Sequence, residues 1–319
     1  MMFRLYCAVL FFTAAGAVFG AYPDRPIRLI APFAPGGNID ITARAIAPGL
    51  SGELGQSVVV ENRGGAGGRI GTEMAAKAAP DGYTLLLGSS GSLTVNPAFS
   101  GTHAYDPVRD FAPTSLVSIV PLMLVVHPSL PVHTAKEFIA LAKAKPGSIL
   151  MASAGTGSNT HLTGELFQLI AGVKLTHVPY KGSGPALIDL LGGQTHCIFD
   201  QVSTSGPYVI AGKLRAIAVA STKRSATLPG VPTMEEAGVH GFESSTYTGV
   251  FLPSATPKDI VNRVYAALLK VLDQPATRDA FNRLGAEVIK STPDEVTRRI
   301  TADLAKWKKV QQQTGIRID

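Results

Sequence analysis

At 319 residues with 45% hydrophobic and 16% charged content, the chain is too long for one small core and too apolar for a disordered tether. Its 33 Gly and 22 Pro carry no Gly-x-y repeat, which excludes collagen-like and low-complexity classes. The net charge of +6 comes from dispersed bases whose only dense cluster is Lys306, Lys308 and Lys309, so a nucleic-acid-binding face is not expected.

The first residues read as an export signal. Arg4 gives a short basic start, and residues 5–19 form an apolar and small-residue run of roughly 15, the length of a signal h-region. A membrane span needs about 20, although an uncleaved anchor is the alternative on length alone. Val18 and Gly20 suit a cut after Gly20, and Pro23 ends any helix there. Residues 1–20 are therefore the expected signal peptide, and the mature chain is expected outside the cytoplasm. Cys7 leaves with the signal. Cys197 is then alone, and its neighbours His196, Ile198 and Phe199 read as a buried strand holding a structural thiol.

In chain order, residues 27–31 predict a strand, followed by a helix with Ile39, Ala43, Ile46, Ala47 and Leu50 on one face. A strand at 58–60, a Gly-rich loop, a helix at 70–79 and a strand at 84–87 come next. This β-α-β-α order argues for an α/β protein with mostly parallel sheets flanked by helices. The pattern restarts with a strand at 149–152, a helix carrying Leu162, Leu166, Leu169 and Ile170, a strand at 175–178, a helix at 185–191, and strands at 197–199 and 214–219. Extended runs at 121–127 and 247–252 bracket this second unit, and helices at 258–272 and 294–311 follow. Two such passages predict an inserted lobe joined by two hinge crossings: lobe 1 at 21–124 plus 249–319, lobe 2 at 125–248.

Several chemistries lack their signatures. There is no H-E-x-x-H, paired-Cys motif or Cys/His cluster for a metal, and no G-x-S-x-G elbow. Gly212-Lys213 lacks the rest of a phosphate loop, and Ile70 stands where a dinucleotide fingerprint needs its third glycine. No cofactor is expected.

Two loops share one design. Pro32-Phe33-Ala34-Pro35-Gly36-Gly37-Asn38-Ile39-Asp40 and Ser153-Ala154-Gly155-Thr156-Gly157-Ser158-Asn159-Thr160-His161 each run from a strand into a helix. Glycines admit a close backbone approach, and a helix N-terminus attracts an anion. Ordinary capped turns would look the same singly, but two facing across a cleft predict a ligand site. Candidate contacts are Phe33, Ala34, Pro35, Gly36, Gly37 and Asp40 in the first loop, and Ala154, Gly155, Thr156, Gly157 and Ser158 in the second. Ser89 and Ser90 end another strand. Tyr180, in the 178–185 loop, lines a cleft or packs as a plain aromatic. Asp200 accepts a ligand amine, holds the hinge or caps a turn. Tyr247 opens the second extended run.

The sequence Tyr22-Pro23-x-x-Pro26-Ile27-Arg28, the Pro-Phe-x-Pro-Gly-Gly loop with Asp40, and Val60-Glu61-Asn62-Arg63-x-Gly65-Ala66-Gly67-Gly68 resemble the Bug family, solute receptors of tripartite tricarboxylate transporters. The likeness continues through Ser153-Ala154-Gly155-x-Gly157-Ser158, His177-Val178-Pro179-Tyr180-Lys181-Gly182, Leu190-Leu191-Gly192-Gly193-Gln194 and Leu228-Pro229-x-Val231-Pro232-Thr233, in order over the mature chain. Asn38 and Pro35 depart from it, standing where the family often has a small hydroxyl residue and alanine. The resemblance implies a two-lobed, type II-like periplasmic binding protein, monomeric and not an enzyme. It would close on a small carboxylate (a di- or tricarboxylate, an aromatic acid or an acidic amino acid). Backbone amides of the two loops would grip it, and membrane subunits of a transporter would receive it. Presentation of ligand to a sensor kinase ectodomain is the alternative.

Overall fold

Strand β1 (Ile27–Ala31) is buried along nearly its whole length, as a continuous apolar run requires of a central parallel strand. The computed structural model describes residues 22–100 and 104–316; the expected signal peptide, its cleavage point and Cys7 lie outside them. After β1 come α1 (Asn38–Leu54), β2 (Val58–Asn62), α2 (Arg69–Ala76), β3 (Thr84–Ser89), the short α3 (Asn96–Phe99) and β4 (Phe111–Val126). The chain continues through α4 (Ala135–Ala144), β5 (Leu150–Ser153), α5 (Asn159–Ala171), β6 (Thr176–Pro179), α6 (Ser183–Leu191), β7 (Cys197–Gln201), α7 (Val202–Ile210) and β8 (Arg215–Val219). It returns by β9 (Ser245–Pro253), α8 (Lys258–Asp273), α9 (Pro275–Arg283), β10 (Glu287–Val288) and α10 (Pro293–Thr314).

The fold is two-lobed, and β4 is the strand that makes it so. Its 16 residues pair with β9 from Phe111 to Pro121, then with β7 from Leu122 and β8 from Met123, both to Val126. One strand therefore belongs to two sheets, with the changeover between Pro121 and Leu122. On the return, Ser244 N–H donates to the Ala220 carbonyl, whereas Ser245 already pairs with Pro121. Lobe 1 carries the strand order β2-β1-β3-β9-β4, and lobe 2 carries β4-β7-β5-β6, with β8 and β10 on β4. The βαβ pairs β1–β2, β1–β3, β5–β6 and β5–β7 are parallel, as expected. Strands β4, β8, β9 and β10 add antiparallel pairs, so both sheets are mixed. An outgoing and a returning crossing that lie side by side must run in opposite directions.

The α1 face read from the sequence is the one that is buried: Ile39, Ala43, Ile46, Ala47 and Leu50. In lobe 2, Phe167 packs against Phe138, Phe199 and Phe242, each ring worth about 1.5–3 kcal/mol on burial. Cys197 lies in this core, fully buried, and burial pushes its thiol pKa up, as an inert structural thiol requires. Helix α4 escapes the sequence reading, although Thr134 and Glu137 form a reciprocal capping box at its start. No helix among the described residues is long and apolar enough to cross a membrane.

Candidate functional site

Four helices begin at one cavity between the lobes. Its wall includes Gly37, Asn38 and Ile39 at the start of α1, Ser158, Asn159 and Thr160 at α5, Ser183 at α6 and Gln201 at α7. Phe33, Ser89, Gly91, Ala154 and Thr246 complete it, and none of these residues carries a charge. Each helix leaves N–H groups without intrahelical partners at its start, where the macrodipole is positive. Ser158 caps α5 by accepting the His161 N–H at 3.3 Å, but no side chain caps α1, α6 or α7. The cavity is nearly closed, with room for about one water molecule, so a carboxylate enters only when the lobes part.

The two predicted loops do meet here, together with the third. Ala34 N–H donates to the Lys181 carbonyl across the lobes at 2.9 Å, and Ser203 Oγ donates to Asn38 Oδ1 at 2.7 Å. Gly67 approaches the backbone of Thr156 and Gly157, and Gly184 approaches Pro35; a Cβ at either glycine would overlap the facing loop. Asp40 shapes the first loop from within, accepting from Gly36 N–H at 3.0 Å and from Arg44 at 2.9 Å. Burial would raise its pKa, but these two donors, with Asn62, hold it below the usual carboxylate range.

The second loop is organised differently from the expectation that its amides face a ligand. Ala154 N–H donates to Thr160 Oγ1 at 2.8 Å, Gly155 N–H to Ser153 Oγ at 3.1 Å, and Gly157 N–H to His161 Nδ1 at 3.2 Å. Those amides hold the loop's shape, so Gly155, Thr156 and Gly157 act by close packing and the cavity-facing part is Ala154 and residues 158–160. Behind them, His161 stacks on His177 at 3.8 Å between ring centroids, and His177 Nε2 meets Ser153 Oγ at 2.6 Å. Burial, helped by His161, lowers the His177 pKa to about 4, so its ring is neutral at pH 7.

Asp200 stands just outside the cavity. It is fully buried, and its oxygens accept the Ser183 hydroxyl at 2.7 Å and the Ser205 hydroxyl at 2.5 Å, tying α6 to α7. Both helices belong to the second lobe, so these bonds brace one lobe from within and do not span the crossings. Burial pushes its pKa up to about 6 against those hydroxyls and the Gln201 N–H. An unfolded Asp titrates near about 4. Between about pH 4 and 6 the folded chain thus keeps a proton that the unfolded chain has lost, and stability falls as pH rises. About two units correspond to about 2–3 kcal/mol. Asp200→Asn is expected to flatten that decline, measured by denaturant unfolding across this window; an unchanged slope would assign it to another group.

Three candidates point elsewhere. Tyr180 donates its hydroxyl to Asp189 at 2.6 Å on α6, outside the cavity wall. Ser90 and Tyr247 face a larger groove of 930 Å³ that also involves Arg278, Arg299, Asp303 and Trp307 of α9 and α10. Alternation along β9 explains Tyr247, since Thr246 faces the small cavity and its chain neighbours face away, whereas Ser90 follows the end of β3, where the backbone has turned helical. The sequence reading did not select Asn38, Ile39, Gly91, Asn159, Thr160, Ser183, Gln201 or Thr246 as contacts. Ser183 had a signal, since its loop repeats the strand-to-helix design of the first two.

The profile of the tripartite tricarboxylate transporter family receptor, TctC, matches residues 42–316. The chain belongs to this family. The receptor is 39% identical to Protein BugT of Bordetella pertussis (strain Tohama I) over 323 residues, 99% of each chain. It superposes on an R. palustris protein solved with adipate at a TM-score of 0.89, with 37% identity over 93% of this chain and 99% of that one. MatC from Rhodopseudomonas palustris, solved with bound malate, gives a TM-score of 0.88 and 34% identity over 91% of this chain and 99% of that one. The receptor is thus a periplasmic-type solute-binding protein of the Bug family, as its motifs suggested.

Proposed function

We propose that this receptor captures a small carboxylate between its lobes and delivers it, in the periplasm, to the membrane subunits of a tripartite tricarboxylate-type transporter, without chemical turnover. One observation carries the reading: four helix N-termini, three without a side-chain cap, converge on a cavity whose wall has no charged side chain. An anion is the species that such a site stabilises. The di-acids in two related structures support a carboxylate in particular. The lobes of this reading are residues 22–121 with 245–316, and residues 122–244, closing as rigid bodies about the two crossings.

Magnitudes agree with the design. Micromolar affinity corresponds to about 8 kcal/mol. Helix termini contribute about 0.3–1 kcal/mol each, up to about 2 when partly buried. Hydrogen bonds to a charged group add about 1.5–3 kcal/mol each, so a few amides with two or more termini reach that total. Calorimetry against mono-, di- and tricarboxylates tests the proposal. At least one acid should bind at micromolar concentration and be recovered unchanged. Failure of the whole panel, or conversion of a bound acid, would overturn it.

A further inference from the structure

Two neutral amides in the cavity wall each leave one atom without a partner. Asn38 is 3% exposed and Gln201 6% exposed, and the unpaired atoms are Asn38 Nδ2 and Gln201 Oε1. Their other ends are fixed. Asn38 Oδ1 accepts from Ser203 Oγ at 2.7 Å. Gln201 Nε2 donates to Thr246 Oγ1 at 3.0 Å, an oxygen that also receives Asn159 Nδ2 at 2.8 Å. Asn159 is itself oriented by the Ser245 carbonyl at 3.1 Å.

Buried polar atoms are ordinarily paired, and an unpaired one weakens whatever state contains it. Helix N-termini supply donors, which match carboxylate oxygens. They supply no acceptor, and an ionised carboxylate has no proton to give Gln201 Oε1. An ammonium group could donate to Gln201, but it would leave the Asn38 amide unpaired and sit among the positive ends of four helices. A hydroxyl suits either atom, because it donates and accepts at once.

We infer that Asn38 and Gln201 are the specificity-determining pair of the site, and that they select a hydroxycarboxylate over the same acid without its hydroxyl. The inference rests on the carboxylate reading above. A site built to hydrogen-bond a hydroxyl rejects the analogue that lacks it, because its own buried groups are then stranded.

Calorimetry with matched acids tests this: malate against succinate, citrate against tricarballylate, lactate against propionate. Within whichever pair binds, the hydroxy acid should bind at least about tenfold tighter. Gln201→Met and Asn38→Leu, each checked for cooperative melting, should bring that ratio to within about twofold, whatever either does to the absolute affinities. Equal affinities in wild type would overturn the hydroxyl selection and leave the carboxylate reading standing. A ratio that survives both substitutions would overturn the assignment to these residues. Binding of none of these acids, while an acid lacking a hydroxyl binds, would overturn the selection; silence across all carboxylates would remove the reading beneath it.

Discussion

Gly184→Ala is expected to weaken ligand binding about 5- to 150-fold while the protein still folds. Gly184 lies in the first turn of α6, outside the left-handed backbone region, so alanine suits its local conformation and even raises helix propensity. The obstacle is across the cleft. A Cβ there would overlap the Pro35 carbonyl oxygen of the first loop, with the Gly36 carbonyl carbon at 3.4 Å behind it. Pro35 has a fixed φ, which limits how far that loop can yield. Overpacking of this kind costs about 1–3 kcal/mol, borne by the arrangement in which the loops touch. Apparent affinity falls with the population of the binding-competent state, at about 1.4 kcal/mol per tenfold. Calorimetry and far-ultraviolet circular dichroism decide the matter. Undiminished affinity in a folded variant would mean that ligand is held without this contact.

Ser158→Asp separates capping from anion binding. Ser158 is 1% exposed, caps α5 and forms part of the cavity wall. Aspartate is as good a cap as serine and complements the helix dipole, which offsets part of the cost of burying its charge, so melting temperature is followed alongside affinity. The same carboxylate would face a bound anion at roughly 5 Å, a repulsion of about 3 kcal/mol at an effective dielectric constant of about 20. Affinity is therefore expected to drop about 150-fold or more, whereas the neutral Ser158→Asn should bind close to wild type. If the aspartate variant binds as well as wild type, α5 does not contribute to the anion site.

The large pieces of this architecture were legible because each rests on local chemistry. The strand-to-helix loops at residues 32–40 and 153–161 combine a glycine run with a helix start, and both reach the cavity. What escaped depends on strand order and on parity. Strands β5, β6 and β7 lie in the order β7-β5-β6, so nothing along the chain says that α5, α6 and α7 begin side by side. Tyr247 and Thr246 differ by one residue, and a one-residue step reverses the face of a strand. The second loop's pattern suggests amides and hydroxyls turned to a ligand, yet Ser153, Thr160 and His161 take the N–H groups of Ala154, Gly155 and Gly157 within the loop itself. Asp200 was visible as a strand-end acid; its two serine partners come from separate helices.

A crystal structure of the receptor with its tightest-binding carboxylate is the most direct measurement. The predicted result is a carboxylate group in the small cavity, its oxygens about 3 Å from first-turn amides of α1 and at least one of α5, α6 and α7. Density for the acid in the 930 Å³ groove beside α9 and α10 instead, with the small cavity holding none, would contradict the account.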